Sequence, residues 1–258
     1  MNDMTSDNRT SEELLAAALA SARSDPSDQS EERWALVRTL HRRADRTIFQ
    51  KAASWCLSND VAERVLGADL LAQLGAGSDA SRRLFAPQSE PFLSKLLRDP
   101  EDRVVMSALY ALGHLDAGDP AEIAQSSTHT SPDVRHAVAY ALGGRIDALS
   151  IQVLTALSND PDDEVRDWAT FGLGTLCELD TADVREALFA RVSDCHSDVR
   201  EEALLGLATR GDQRAVPHII SALKEGSPSH LILEAAEEML KACPSEDELR
   251  HLATERRQ

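Results

Sequence analysis

Three segments of this chain can be laid over one another. VRHAVAYALG (Val134 to Gly143), VRDWATFGLG (Val165 to Gly174) and VREEALLGLA (Val199 to Ala208) each open on Val-Arg, carry a small residue seven positions later and Leu at the eighth. VVMSALYALG, from Val104 to Gly113, fits without the Arg, and LGADLLAQLG (Leu66 to Gly75) and ILEAAEEMLK (Ile232 to Lys241) are degenerate copies. The copies start at 66, 104, 134, 165, 199 and 232. A period of this size means a stack of similar units, each too small to bury its own apolar face alone.

The spacing within each copy explains its residue types. Positions 0, 4, 7 and 8 fall on one face of a helix, and a small residue there lets a neighbouring helix come close. Asp99, Asp160 and Asp194 each lie five residues before their Val, where an Asp can satisfy free amides at the next helix start. The Arg at position 1 (Arg135, Arg166, Arg200) can reach the Asp of an adjacent turn and build a ladder. A second set of apolar runs lies between these helices, so each period reads as helix, turn, helix. Ala and Leu carry the core, since aromatics are only 4% of the chain.

The turn Asp and the V-R-x-x-A-x-x-A-L-G helix resemble HEAT repeats, in particular the short bacterial kind also found in phycobilin-lyase-like proteins. The resemblance runs over residues 45–241 and is strongest from 99 to 209. It implies an all-α fold: a right-handed α-α superhelix, the HEAT-repeat solenoid, of about six helical pairs with helical caps. The expected organisation is N-terminal capping helices over 1–44, the repeat array over 45–241 and a C-terminal capping helix over 242–258. The resemblance also implies that the second helix of each pair lines the concave side.

With the Val as position 0, positions 2 and 6 turn away from the buried face by roughly 160°. Position 6 reads Tyr110, Tyr140, Phe171 and Leu205, and position 2 reads Met106, His136, Asp167 and Glu201. Both tyrosines of the chain fall at this one position. The next copy continues with Glu234 and Glu238, and Trp168, at position 3, borders the strip. An apolar ridge that turns acidic toward the C-terminus is the expected partner-binding surface.

The charge fits such a surface. The formal net charge is −17, and the stretch from Asp99 to Thr209 carries 21 acids against 7 bases. That field repels nucleic acid and favours a basic protein partner. A well-solvated surface that only keeps the protein soluble is the plainer reading of the same charge.

Chemistry leaves few traces. Cys56, Cys177, Cys195 and Cys243 are scattered, without a CxxC pair, and read as thiols of a reducing compartment. The first residues are polar and no stretch is long enough for a membrane span, which places the expected protein in the cytoplasm. No His is directly followed by Glu, unlike the iron ligands of HEAT-type deoxyhypusine hydroxylases. No metal ligands, P-loop or Rossmann fingerprint stand out, so no cofactor, metal or catalytic residue is expected. The acidic middle argues against a DNA-glycosylase-like groove. The leading reading is a non-catalytic protein-binding scaffold or adaptor. An immunity or antitoxin-like inhibitor of a cationic toxin, and a phycobilin-lyase-like enzyme or enzyme subunit, are the alternatives.

Overall fold

The structure is a computed structural model that describes residues 7–25, 30–75, 85–225 and 227–255. Fifteen α-helices are found among them, and no strand. They are α1 (Ser11–Ser24), α2 (Glu31–Arg43), α3 (Arg46–Trp55), α4 (Val61–Ala72), α5 (Ala86–Leu96), α6 (Asp102–Leu115), α7 (Pro120–Ala124), α8 (Pro132–Leu142), α9 (Ala148–Leu157), α10 (Asp163–Phe171), α11 (Ala182–Phe189), α12 (Ser197–Thr209), α13 (Val216–Lys224), α14 (His230–Ala242) and α15 (Asp247–Glu255). In chain order, α3 to α14 form six helix–turn–helix pairs, as the repeat demands, with α1, α2 and α15 outside them. None of the described helices is long and apolar enough to cross a membrane.

The chain divides into two compact units, Met1–Ser126 and Ser127–Gln258. In the first, α4 packs between α3 and α6, with α1 and α2 against its other side. Arg33 of α2 and Asp69 of α4 form an ion pair that is almost fully buried. Gly67 lets α4 meet α3 closely, since a Cβ there would sit 2.8 Å from the Ala52 carbonyl oxygen.

In the second unit, α8, α10, α12 and α14 form one layer, each packed on the next. α9, α11 and α13 form the other layer, against α10, α12 and α14 respectively. The periodic positions behave as the spacing requires. Val134, Val138, Ala141 and Leu142 are buried, as are Val165, Ala169 and Leu173, and Val199, Ala203 and Leu207. Each fully buried Val or Leu contributes ~1.5–3 kcal/mol. The small residue at position 7 has a visible purpose in α12. A Cβ on Gly206 would sit 2.6 Å from the Gly174 Cα, so α12 rides directly against the turn that ends α10.

The Arg–Asp ladder is present and more elaborate than expected. Arg135 donates from Nη1 to the carbonyls of His129 and Thr130, at 2.8 and 3.2 Å, and forks both Asp160 oxygens at 2.7 Å. Arg166 repeats this, with Nη1 on the carbonyls of Asp160 and Pro161 and its fork on Asp194 at 3.0 Å. Arg64 does the same, with the carbonyls of Ser58 and Asn59 and the carboxylate of Asp99. Each turn residue also accepts the amide of the residue two further on, which is the N-cap of the next helix. Asp99, Asp160 and Asp194 do this at 3.0–3.1 Å, and Ser58 Oγ and His129 Nδ1 fill the same role at 3.1 Å.

The ladder corrects two sequence expectations. Arg64 stands where Arg135 and Arg166 stand, so its copy begins at Glu63 rather than Leu66. The expected Asp pairing of Arg200 does not form: its Nη1 bonds the carbonyls of Asp194 and Cys195, but Ser227 occupies the turn position where the other rungs have Asp.

Candidate partner-binding face

The helical register of α8 and α10 gathers the rings. His136 and Tyr140 sit one turn apart on α8, and Trp168 and Phe171 one turn apart on α10, with the two helices packed side by side. Trp168 is the hub. Its ring lies 5.4 Å from His136, 5.4 Å from Tyr140, on which it stacks at 23°, and 5.3 Å from Phe171. All four side chains are half-buried rather than fully exposed, because the rings lie across the α8–α10 seam. Trp168 thus belongs to the cluster it was expected only to border. Burial keeps the His136 imidazole below its ordinary pKa against the pull of Glu164 and Asp133, and raises the Tyr140 phenol.

The carboxylates beside the rings are under electrostatic pressure. Asp167 of α10 is pushed up to about 6, first by burial and then by the charge of Asp198, against the opposing influence of His196. Its Oδ1 is buried without a hydrogen-bond partner among the described residues. Glu202 of α12 is pushed up to about 7, first by burial, with the charges of Asp167, Glu201 and Glu234 adding to it. The Thr175 hydroxyl, donating at 3.0 Å, only partly offsets this.

The remaining expected residues divide. Glu201 accepts the Ser229 hydroxyl at 2.5 Å, and Ser229 Oγ accepts the Ile232 amide at the start of α14, so Glu201 braces a helix cap. Glu234, Glu238 and Leu205 line one cavity of about 330 Å³ with Thr175 and Arg210. Leu205 is a correction: only 4% of it is exposed, because close approach of α12 to its neighbours carries position 6 inward there. Met106 and Tyr110 lie half-buried on α6, in the first unit.

Two features of this face escaped the sequence reading. Glu202 sits at position 3, the position of Trp168, and that match was its one available signal. The other is Arg210, which donates to the carbonyls of Leu173, Gly174, Cys177, Leu179 and Gly206. It secures a π-helical turn, Gly172–Leu176, that continues α10 and delivers Thr175 to Glu202. Such turns recur at functional positions.

Residues 90–174 and 153–241 match the family model of HEAT repeats. Protein YibA of Escherichia coli K12 is 27% identical over 210 residues, covering 79% of this chain and 73% of YibA. The X-ray structure of Escherichia coli YibA superimposes with a TM-score of 0.68 at 22% identity, over 100% of this chain and 93% of that one. A designed armadillo repeat protein in complex with the peptide (KR)4 gives 0.52 at 15% identity, over 77% and 98%.

Proposed function

The chain belongs to the HEAT-repeat family, and from that premise we propose that it is a scaffold that holds a basic partner protein on the face of α8, α10, α12 and α14. The carrying observation is the pair Asp167 and Glu202, whose carboxyls are raised to about 6 and about 7 beside a four-ring patch. A lysine or arginine of the partner relieves that crowding, and its stem or a neighbouring apolar side chain covers the rings. Glu234 and Glu238 extend the acidic strip, and His136, Tyr140, Trp168 and Phe171 anchor its apolar end. Leu205 contributes to the cavity floor, Glu201 to its local field, and Met106 and Tyr110 are proposed as further contacts of a long partner. The proposed array spans 45–241, with residues outside it acting as caps. The reading assigns no catalytic step.

The designed neighbour that carries (KR)4 suggests the probe. Fluorescence anisotropy with labelled (KR)4, against a Gly-Ser peptide of equal length, tests the reading directly. Because a bound cation favours ionised Asp167 and Glu202, affinity should fall as pH drops from 8 to 5. The double variant Asp167→Asn, Glu202→Gln should bind weakly and lose most of that pH dependence. Equal binding of the two peptides, or wild-type affinity and pH dependence in the double variant, would refute the assignment.

A further inference from the structure

Arg200 is a rung of the ladder without its carboxylate. In Arg64, Arg135 and Arg166, Nη1 is tied to two carbonyls of the helix's own turn, and Nε with Nη2 grips both oxygens of an Asp from the next turn. Arg200 keeps the first half of this arrangement, with Nη1 on Asp194 O at 2.8 Å and Cys195 O at 3.1 Å. Its Nε and Nη2 meet no carboxylate among the described residues, since the next turn offers Ser227 where Asp160 and Asp194 would predict Asp. The guanidinium is therefore held in place by the backbone with its carboxylate-binding edge unused. Arg200 lines a cavity of about 410 Å³ between α12, α13 and α14, together with His218, Ser221, Ser227, Glu201 and Glu225. The volume falls in the range of small-ligand sites.

We infer that this cavity binds a terminal carboxylate, with Arg200 forking its two oxygens as the other rungs fork Asp. A planar, bidentate match of guanidinium and carboxylate is the geometry this side chain is built for. The two acids select among carboxylates. Glu201 and Glu225 stand in the cavity wall and accept from Ser229 and Ser221, at 2.5 and 3.1 Å. A bare anion meets their repulsion, whereas a carboxylate whose own molecule bears an ammonium group satisfies both signs at once. The ligand class is thus a carboxylate–ammonium compound of amino-acid size, supplied as a free amino acid or as the lysine-bearing C-terminus of a peptide. This site shares Glu201 with the proposed partner-binding face but does not depend on Asp167, Glu202 or the rings, so its test is separate from that of the face.

The test follows the Nε–H resonance of Arg200 in isotope-labelled full-length protein, assigned by its loss in Arg200→Gln. The probes are Nα-acetyl-lysine, Nα-acetyl-lysinamide and glycine. Nα-acetyl-lysine should shift the signal saturably, and its amide, lacking the carboxylate, should bind about tenfold more weakly or worse. Glycine binding as well as Nα-acetyl-lysine assigns the site to free amino acids, and Nα-acetyl-lysine alone assigns it to a peptide end. Ser227→Asp rebuilds the missing rung, so it should raise the melting temperature and abolish probe binding together. Equal binding of acid and amide overturns the inference, as does no shift with any probe. A Ser227→Asp protein that still binds, with an unchanged melting temperature, overturns it too. Circular dichroism of Arg200→Gln guards against loss of the fold.

Discussion

At the scale of single residues, Asp167 and Glu202 set a pH dependence opposite to that of the ladder. In an unfolded chain these carboxyls give up their protons near 3.8 and 4.5, whereas in the fold they do so near 6 and 7. The folded state thus binds more protons across that window, and stability falls as pH rises through it. The ladder aspartates behave the other way. Burial opposes ionisation of Asp160 and Asp194, but the Arg135 and Arg166 forks and the N-cap amides outweigh it, so both pKa values are lowered. Their contribution is complete above the ordinary carboxyl range and is lost as pH falls below it. Burial lowers the pKa values of His41, His114 and His136, which act the opposite way over the same window, so the effect is read as a difference: in urea denaturation Asp167→Asn, Glu202→Gln should gain on wild type as pH rises from 5 to 8. Glu202→Gln, which removes the charge and leaves an acceptor for Thr175, should add on the order of 1 kcal/mol at pH 8 and much less at pH 5. A Glu202→Gln gain that is the same at pH 5 and pH 8 would contradict this assignment.

At the scale of the elements, the ladder distinguishes ion pairs that hold the stack from those that decorate it. The Arg166 and Asp194 side chains are only 10% and 5% exposed, and Asp194 also takes the His196 amide and an Arg191 bond. Asp194→Ala strands Arg166 and leaves the His196 amide before α12 without its acceptor, so a loss of about 2–4 kcal/mol is expected in urea denaturation. Asp60 and Arg23, at 37% and 50% exposed, are the comparison. Arg23→Ala should cost no more than about 1 kcal/mol. If the two losses are equal, the ladder carries no special weight. Gly206→Ala tests the α12 contact independently, since its Cβ has no room beside Gly174. It should cost about 1–3 kcal/mol by overpacking, more than a Gly-to-Ala change in an open helix, which normally stabilises.

These elements also show what a sequence of this kind discloses. The buried face of α8, α10 and α12 was legible because helical periodicity and a repeated motif give the same answer at Val134, Val165 and Val199. The Arg135 and Arg166 rungs were legible because donor and acceptor recur one repeat apart. The vacancy at Arg200 was not, because it depends on comparing Ser227 with its counterparts in a turn whose register the degenerate last copy hides. Leu205 went inward and Glu202 joined the site for one geometric reason. The close α10–α12 packing at Gly174 and Gly206 decides which side chains reach the surface, and no single helix encodes that contact. The π-helical turn likewise depends on Arg210, remote in sequence from the carbonyls it holds.

At the scale of the molecule, charge and rings should divide the work of binding between approach and retention. The −17 net charge, concentrated in the middle of the sequence, acts over a Debye length of roughly 8–10 Å and so governs encounter. The rings act only on contact and so govern residence. Glu164 and Asp198 are exposed and sense Asp167 through space, which makes them contributors to the field without packing roles. Neutralising both, as Glu164→Gln with Asp198→Asn, should slow association of (KR)4 several-fold at low salt, flatten its salt dependence, and change dissociation little. Trp168→Ala removes the hub of the ring cluster. It should speed dissociation about tenfold while leaving the slope of association rate against ionic strength intact. Stopped-flow rates at two ionic strengths separate the two effects, with circular dichroism verifying that the Trp168→Ala protein stays helical. The decisive comparison is between variants rather than with wild type. If the charge variants act on dissociation as strongly as Trp168→Ala does, the acids are contact groups and long-range steering is wrong. If Trp168→Ala instead changes only association, the rings serve the packing of α8 against α10 and the partner meets another face.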